Sequence, residues 1–256
     1  MDLPFQRPPS HAPQRAAPQA MPATPTTLRY AERRGEIETY FDRTAVEAWA
    51  RLTSTAPVGR IRATVRAGRD RMRHTLLSWL PDDLRGVRLL DAGCGTGALA
   101  VEAARRGADV VAIDLSVTLV DLARERAPAD LAGRIRFLSG DMLDPALGRF
   151  DHVVAMDSLI HYEPADCTRV LDALAARCNG SIAFTYAPSN FALAAFRAVG
   201  RAFPRGERAP WIVPVKEAHL RELRGRSAQL CHWQEGRTQR IASGFYTSQA
   251  LELLRP

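Results

Sequence analysis

Lysine is almost absent from this sequence of 256 residues, because Lys216 is the only one. The net charge of +7 therefore comes almost wholly from arginine. Basic surfaces attract nucleic acids, acidic membrane surfaces and anionic small molecules alike. Helix-turn-helix, zinc-finger and aromatic RNA-binding signatures are also lacking, so we expect no nucleic-acid partner. A small anionic ligand and a peripheral membrane contact are the interpretations that the charge leaves open.

Metal-binding and disulfide patterns are lacking as well. The four cysteines have neither CxxC spacing nor a nearby histidine partner, so the sequence indicates neither a zinc site nor a disulfide framework. We expect reduced thiols and no protein-bound metal. No stretch of about 18 apolar residues and no signal-peptide core is present. The chain is therefore expected to be cytoplasmic.

The chain divides into three parts by composition. Residues 1–28 hold seven of the seventeen prolines and almost no large apolar residue, so they are expected to form a disordered tail. Residues 29–81 carry two apolar stripes at helical spacing and predict an N-terminal helical arm. The second helix also carries arginines, which we interpret as a solvent-exposed face; they are Arg60, Arg62, Arg66, Arg69, Arg71 and Arg73.

Strand and helix patterns alternate regularly within residues 82–256. The strand-like segments are VRLLDAG, DVVAID, IRFLSGD, FDHVVAMDS, SIAFTY, AQLCHWQ and TQRIASGFY. Short apolar strands separated by helices indicate an α/β fold with a mostly parallel sheet, here of seven strands, and helices on both faces. The alternation breaks at 187–226. We interpret this segment as a cap inserted over the carboxyl ends of the strands, where open α/β sheets bind ligands.

The strongest local signal is DAGCGTG at 91–97, between a predicted strand and a predicted helix. Its glycines allow a tight turn and a close approach of a ligand to the main chain. Asp114 ends the next predicted strand, where a carboxylate suits the two hydroxyls of a ribose. The spacing is GxGxG, whereas a dinucleotide fingerprint reads GxGxxG with its pyrophosphate at a helix N-terminus. A ligand without phosphate is therefore favoured.

This pattern, followed by AID at 112–114 and SGDM at 139–142, resembles the class I methyltransferases, which use S-adenosylmethionine and have a Rossmann-like fold. The resemblance implies that the glycine loop bends around the amino-acid and ribose portions, and that Asp114 holds the ribose. Asp141 and Met142 would then meet the adenine. The implied cosubstrate-binding set is Asp91, Gly93, Gly95, Gly97, Asp114, Leu115, Asp141, Met142 and Asp157. A purely structural glycine turn is the less favoured alternative.

Segments outside those motifs indicate the methyl acceptor, since a fold does not name its substrate. The segments ETYFDRTAVEAWARL at 38–52, VAMDSLIHYEP at 154–164, FPRGERAP at 203–210 and GFYTSQALE at 244–252 together resemble the magnesium protoporphyrin IX O-methyltransferases of (bacterio)chlorophyll synthesis. The resemblance implies methyl transfer to one propionate of a magnesium porphyrin and a helical arm over the site. It also implies Tyr40 and His161 as residues for substrate binding and catalysis, and magnesium chelatase as a partner.

The residues themselves are compatible with a carboxylate acceptor. MDSLIHY follows a predicted strand, so His161 and Tyr162 are expected where acceptor and cosubstrate meet. A carboxylate with a pKa of about 4.3 is already ionised at neutral pH, and it needs alignment and removal of water more than a base. Arg205 and Arg208 are candidates for holding the second propionate, with a solvated loop as the equal alternative. The acceptor-side set is Tyr40, Phe41, Trp49, His161, Tyr162, Arg205 and Arg208, and magnesium is expected only within the porphyrin.

Three other functions are open at this point. The chain could be a class I methyltransferase for another small acceptor, or a nucleic-acid methyltransferase that uses the basic charge. It could also be a non-catalytic module that binds the nucleoside as a regulator. Release of S-adenosylhomocysteine in the presence of an acceptor separates these alternatives.

Overall fold

The computed structural model describes residues 25–43, 59–131, 133–189 and 212–256. Most of the predicted tail and the middle of the predicted insertion, residues 190–211, lie outside these ranges, as do residues 44–58. The described residues form an α/β structure in which one eight-stranded sheet carries helices on both faces. The predicted α/β architecture is therefore confirmed.

The sheet is parallel except at its C-terminal end. Its strands are β1 (Arg88–Ala92), β2 (Asp109–Asp114), β3 (Ile135–Ser139), β4 (Phe150–Ala155), β5 (Cys178–Pro188), β6 (Pro214–Val215), β7 (Gln234–Ser243) and β8 (Tyr246–Leu254). Their order is β3-β2-β1-β4-β5-β8-β7, with β6 paired on β5. Strand β8 is antiparallel to both of its neighbours. The strand order reverses at β1, and ligands bind beside such a switch point in open α/β sheets.

Two apolar clusters cover the two faces of the sheet. The helices are α1 (Pro25–Arg43), α2 (Arg60–Ser78), α3 (Ala98–Arg105), α4 (Val117–Arg126), α5 (Pro164–Ala175) and α6 (Glu217–Gly225). Successive residues of a strand point to opposite faces, and Leu89 and Leu90 of β1 are both fully buried. Leu89 packs in the cluster of α2, α3 and α4, whereas Leu90 packs in the cluster of α1, α5 and α6. Both faces of the central strands are thus covered.

The C-terminal hairpin differs from the sequence prediction. AQLCHWQ, predicted as a strand, instead contains a short 3-10 turn over Leu230–His232. TQRIASGFY supplies most of β7 and the turn, and the prediction missed β8 as a strand. The reason is that β8 buries polar residues inside an otherwise apolar strand: Glu252 is only 2% exposed and accepts from Arg237 at 2.7 Å. Buried polar side chains of this kind obscure a strand pattern.

One boundary and the number of strands also differ from the prediction. Helix α1 begins at Pro25, inside the segment 1–28 that was predicted to be disordered. Proline is tolerated in the first turn of a helix, and α1 is held to the core by the buried side chains of Tyr30 and Ile37. The sheet has eight strands where seven were predicted, because β6 has only two residues and shows no periodicity. No helix in the described ranges is long and apolar enough to cross a membrane.

Candidate active site

A cavity of about 560 Å³ lies at the carboxyl ends of the first four strands. The parallel registers of β1, β2, β3 and β4 bring the loops that follow them to the same edge of the sheet. Helices α1 and α2 supply further parts of the lining. Small-molecule sites typically measure about 300–1,000 Å³, so the cavity has the size of a ligand site.

The glycine loop forms the floor of this cavity. Gly93, Gly95 and Gly97 all have positive φ, of 84°, 53° and 77°, which favours glycine. A β-carbon at Gly95 would meet no described atom within 4 Å, so the loop leaves space above its main chain for a ligand. A β-carbon at Gly97 would lie 2.8 Å from the ring of Phe137. Gly97 is therefore needed for packing and, unlike Gly93 and Gly95, does not line the cavity.

Asp114 at the end of β2 both lines the cavity and anchors the glycine loop. Its carboxylate accepts from the amide of Gly95 at 2.8 Å and from the amide of Ser116 at 3.0 Å. Burial raises the pKa of Asp114 above its ordinary value, although these amide hydrogen bonds act in the opposite direction. Carboxylate oxygens have several acceptor positions, so Asp114 can hold the loop and still accept from a ligand diol. Leu115 beside it also lines the cavity.

Asp91 presents a buried acceptor to the cavity. It is 1% exposed, and its Oδ2 atom has no hydrogen-bond partner among the described residues. Burial, and to a lesser extent the charge of Asp114, raises the pKa of Asp91 to about 7. A buried acceptor is costly unless a donor reaches it, and a cationic donor favours the ionised carboxylate. Asp91 therefore fits the positively charged portion of an amino-acid ligand.

The end of β3 contributes differently from the sequence expectation. Gly140 and Met142 line the cavity, whereas Asp141 is not part of the lining. The Asp141 carboxylate accepts from the hydroxyl of Tyr30 at 3.2 Å and is also paired with Arg34. Both partners belong to α1. Asp141 thus ties α1 to the sheet edge, and of the two residues expected to meet the adenine only Met142 lines the cavity.

Asp157, which follows β4, is the centre of a buried polar network. It has a φ of 54°, and its side chain is 4% exposed. Its carboxylate accepts from Arg69 at 2.7 Å, from the Tyr246 hydroxyl at 3.1 Å and from the Thr185 hydroxyl at 3.2 Å. The hydroxyl of Ser248 donates to it at 3.3 Å. Asp157, which was expected to bind the cosubstrate, lines the cavity, and four protein donors reach its carboxylate.

Three residues of the predicted acceptor side, Phe41, His161 and Tyr162, line the cavity together, and we call them the acceptor wall. His161 is 7% exposed, and its ring meets Phe41 edge-on with centroids 5.7 Å apart. Its carbonyl accepts from Arg33 of α1 at 2.9 Å. Tyr162 stacks on Tyr30 at 5.4 Å, and burial raises the pKa of Tyr162 above its ordinary value. Helix α1 therefore fixes this wall in place.

The remaining acceptor-side residues are not brought into the cavity by the described structure. Tyr40 is half-buried on α1 and packs edge-on against Phe41, with ring centroids 5.2 Å apart. It is not one of the lining residues. Trp49, Arg205 and Arg208 lie outside the described residues. Tyr40 thus does not line the cavity itself but packs against Phe41, which does.

Two described parts of the predicted insertion 187–226 lie beside the acceptor wall. Strand β6 pairs in parallel with the end of β5, with Pro214 opposite Ala187. The amide of Val213 donates to the carbonyl of Ile160 at 2.8 Å, and Ile160 immediately precedes His161. Ala187 and Val213 therefore lie on this side of the cavity.

Helix α2 contributes a wall that the sequence interpretation missed. Arg66, Arg69 and Arg73, which we call the arginine wall, line the cavity together with Asp70. They were interpreted as a solvent-exposed face. Their spacing of three and four residues puts them on one side of a helix, which was the available signal. In the sequence, however, a stripe of arginines that faces bulk solvent looks the same as one that lines a cavity.

No group of three or more His, Cys, Asp or Glu side chains in the described ranges could hold a metal ion. None of the four cysteines forms a disulfide bond.

Comparisons with known proteins match two overlapping regions to families. Residues 89–179 match a family described as "Methyltransferase domain", and residues 155–255 match "Magnesium-protoporphyrin IX methyltransferase C-terminus". The chain is 51% identical over 224 residues to the magnesium-protoporphyrin O-methyltransferase of Rhodobacter capsulatus, covering 87% of this chain and 97% of that protein. It is 28% identical over 223 residues to the protein of the same name from Synechocystis, with 86% and 95% coverage.

A solved structure is similar over nearly the same length. The crystal structure of magnesium protoporphyrin IX methyltransferase (ChlM) from Synechocystis PCC 6803 with bound SAH has a TM-score of 0.75 and 27% identity to this chain. The match covers 87% of this chain and 99% of that chain. A second structure of that protein, with bound SAM, has a TM-score of 0.70 and 24% identity, and supports the fold. The predicted class I, Rossmann-like fold is confirmed.

Proposed function

This chain belongs to the magnesium-protoporphyrin O-methyltransferase family, and we propose how its residues divide the work of the reaction. The protein is an S-adenosylmethionine-dependent methyltransferase that methylates Mg-protoporphyrin. The atom that receives the methyl group is proposed to be an oxygen of one propionate, which gives the monomethyl ester and S-adenosylhomocysteine. The observation that carries this proposal is one cavity in which the glycine loop and the acceptor wall face the same space.

The cosubstrate half of the cavity has the donor and acceptor chemistry that S-adenosylmethionine requires. Gly95 leaves open space above the loop, and Asp114 offers an acceptor for the ribose hydroxyls. Asp91 offers a buried acceptor for a cationic group, while Leu115 and Met142 offer apolar surface for the adenine. When bound, S-adenosylmethionine supplies an electrophilic methyl group. We propose that these residues hold it.

The acceptor wall is proposed to align the carboxylate and to exclude water from it. A propionate with a pKa of about 4.3 is ionised at neutral pH, so no side chain has to remove a proton from it. A hydrogen bond from His161 can orient one oxygen while the other attacks, and the buried position of His161 limits water. Burial keeps the Tyr162 hydroxyl protonated, because it raises the pKa of that group. Tyr162 is therefore a second donor for the same carboxylate.

Tyr40 is proposed to be a positioning residue for the porphyrin. Its ring packs edge-on against Phe41, and Phe41 in turn contacts the ring of His161. Edge-to-face aromatic pairs contribute about 0.5–1.5 kcal/mol beyond the burial of their area. A change at Tyr40 would therefore reach the macrocycle through Phe41, which lines the cavity.

The rest of the proposal concerns residues and partners beyond the described cavity. Magnesium is proposed to enter as part of the porphyrin. Arg205 and Arg208, within a segment whose ends lie beside His161, are proposed to hold the second propionate, and Trp49 to supply apolar surface. A peripheral membrane contact is supported by the net charge of +7 and by the exposed side chains of Ile61 and Phe245. Contact with magnesium chelatase rests on the family resemblance and stays a prediction.

Incubation of the protein with Mg-protoporphyrin IX and S-adenosylmethionine carrying a labelled methyl group tests the proposal. We expect one labelled methyl ester per porphyrin and an equal amount of S-adenosylhomocysteine, both measured by mass spectrometry. The matched control is Mg-protoporphyrin IX dimethyl ester, in which both carboxylates are blocked, and it should give no product. Turnover of the dimethyl ester, or no ester from Mg-protoporphyrin IX, would contradict the propionate assignment.

A further inference from the structure

The arginine wall lies inside the cavity, yet neither half of the reaction described above uses it. We propose that Arg69 is a carboxylate-binding residue of this cavity and that Asp157 and Tyr246 position it. The proposal rests on the proposed function for the identity of the ligands. Both ligands carry carboxylates: S-adenosylmethionine has one on its amino-acid portion, and the porphyrin has two propionates.

The first argument is that Arg69 is held rigidly. Its side chain is 21% exposed, and its Nη1 atom lies 2.7 Å from Oδ2 of Asp157, which is 4% exposed. The hydroxyl of Tyr246 lies 3.1 Å and 3.2 Å from the two oxygens of Asp157. Ser248 and Thr185 donate to the same carboxylate. A guanidinium fixed in this way loses little side-chain entropy when it binds a ligand.

The second argument is the chemistry of the group. A guanidinium carries five N–H donors in a planar fork and binds carboxylates through two parallel hydrogen bonds. Arg69 lies on a wall with two further guanidiniums, Arg66 and Arg73. The positive potential of this wall therefore favours an anion in the cavity.

The third argument is the position of Arg69 relative to the glycine loop. Ser158 follows Asp157 in the chain, and a β-carbon built on Gly93 would lie 2.2 Å from the Ser158 β-carbon. Asp157, and with it Arg69, is thus adjacent to the first glycine of the loop. The amino-acid end of the cosubstrate passes this loop in the proposed binding mode. The geometry therefore favours the amino-acid carboxylate over a propionate.

The fourth argument is that the C-terminal strand sets the position of helix α2. A β-carbon on Gly68 would lie 2.5 Å from Cδ1 of Tyr246, so glycine at this position lets the helix approach the tyrosine ring closely. Arg69 is the next residue on the helix. Tyr246 therefore fixes Arg69 twice, through the helix backbone and through Asp157.

The test compares two nucleoside ligands, one with and one without the amino-acid portion that carries the carboxylate. Arg69→Met removes the guanidinium, and Arg71→Met, which alters an exposed arginine of the same helix, is the matched control. Binding of S-adenosylhomocysteine and of 5′-methylthioadenosine, which lacks the amino-acid portion, is measured by calorimetry. We expect Arg69→Met to weaken S-adenosylhomocysteine binding roughly 10- to 100-fold, the equivalent of a hydrogen bond to a charged group. Binding of 5′-methylthioadenosine and the Arg71→Met protein should be unchanged.

A second pair of ligands identifies a propionate as the source. Binding of Mg-protoporphyrin IX and of its dimethyl ester is measured by fluorescence quenching. If Arg69→Met weakens only the binding of the free acid, and S-adenosylhomocysteine binds as before, the carboxylate is a propionate. The proposal would be overturned if Arg69→Met weakened the binding of both ligands in each pair equally. It would also be overturned if Arg69→Met changed the binding of none of the four ligands. None of these measurements needs turnover, so they stand apart from a failure of the proposed function.

Tyr246→Phe tests the positioning step and covers the case in which Arg69→Met does not fold. It removes the hydroxyl from Asp157 and keeps the ring against Gly68. We expect a smaller loss, about 3- to 10-fold, for the same ligand that Arg69→Met affects, because this variant removes one hydrogen bond behind the guanidinium and keeps the guanidinium itself. Arg69→Lys keeps the charge without the fork and should recover part of the affinity. A Tyr246→Phe protein with wild-type affinity for all four ligands would rule out positioning through Asp157.

Discussion

Asp114 has two tasks in the structure, because the same carboxylate anchors the glycine loop and faces the cavity. Asp114→Ala should weaken S-adenosylhomocysteine binding by about 1.5–3 kcal/mol, the range for hydrogen bonds to a charged group. The measurement is titration calorimetry, with Asp109→Ala as the control, since Asp109 is exposed at the other end of the same strand. An Asp114→Ala protein that is folded and binds with unchanged affinity would disprove the assignment.

Asp91 should make the stability of the empty protein depend on pH. Its pKa is raised to about 7, mainly by burial, whereas an aspartate in the unfolded chain has a pKa of about 3.9. The folded state therefore binds this proton more tightly. The stability that results is fully present below pH about 4 and is lost as the pH rises through about 7.

The measurement is the melting temperature of the empty protein between pH 5 and pH 8. We expect the wild-type value to fall more steeply than that of Asp91→Asn, by a few °C, because 1 kcal/mol corresponds to about 2–4 °C in a protein of this size. The Asn side chain keeps the shape and cannot ionise. Parallel curves for the two proteins would show that the pKa of Asp91 in the folded protein lies below this range.

The site residues that could be predicted from the sequence are those fixed by local structure. Gly93, Gly95 and Asp114 lie in short motifs at strand ends, and the register of a parallel sheet places such ends together. Asp141 belongs to an equally local motif, but its carboxylate is used by Tyr30 and Arg34, more than one hundred residues away in the chain. A motif does not reveal that a distant helix occupies its side chain.

At the scale of elements, two of the helical glycines, Gly35 and Gly68, should respond oppositely to alanine. Alanine is favoured over glycine inside a helix by about 0.5–1 kcal/mol. A β-carbon at Gly35 would meet no described atom within 4 Å, so Gly35→Ala should stabilise the protein by up to that amount. At Gly68 the same atom would lie 2.5–3.0 Å from three atoms of Tyr246.

Gly68→Ala should therefore destabilise the protein by about 1–3 kcal/mol, the usual cost of overpacking. Thermal and urea unfolding of both variants measure the two changes. Gly35→Ala serves as the control, since it makes the same chemical change in another helix. If Gly68→Ala were as stable as Gly35→Ala, α2 would not be packed against the C-terminal strand as closely as the structure has it.

Which elements could be predicted also depended on packing. The apolar runs of β1, β2 and β4 are buried on both faces, and this leaves a clear signal in the sequence. Strand β8 carries Ser248, Gln249 and Glu252 in buried positions, and their partners lie on other elements. The arginines of α2 follow the same rule, because Arg69 pairs with the carboxylate of Asp157, which follows β4. Polar residues satisfied by tertiary contacts cannot be identified from local pattern.

At the scale of the whole molecule, helices α1 and α2 line the cavity, and contacts with distant parts of the chain hold them there. Helix α1 is held across the sheet edge by the Tyr30–Tyr162 stack and by the hydrogen bond from Ser116 to Asp42 at 2.5 Å. Helix α2 is held from the other direction by the C-terminal hairpin, whose Ser243 hydroxyl donates to the carbonyl of Thr64 at 2.9 Å. The two helices thus border a site that lies at the carboxyl ends of the strands.

This arrangement separates a cosubstrate side from an acceptor side, and kinetics with both substrates varied should reveal the separation. His161→Ala and Tyr40→Phe should lower kcat, or kcat/KM for Mg-protoporphyrin, while S-adenosylhomocysteine binding stays close to wild type. The reason is that His161 belongs to the acceptor wall and Tyr40 packs against Phe41 of that wall.

The size of the two losses distinguishes alignment from base catalysis. A carboxylate needs no deprotonation, so His161→Ala should cost less than the roughly 10²–10⁴-fold that a positioned proton-transfer group contributes. Tyr40→Phe keeps the ring and should cost less than His161→Ala. His219→Ala, an exposed histidine on α6, is the control. If either variant lost cosubstrate binding while its porphyrin kinetics were preserved, that residue would belong to the opposite side of the cavity.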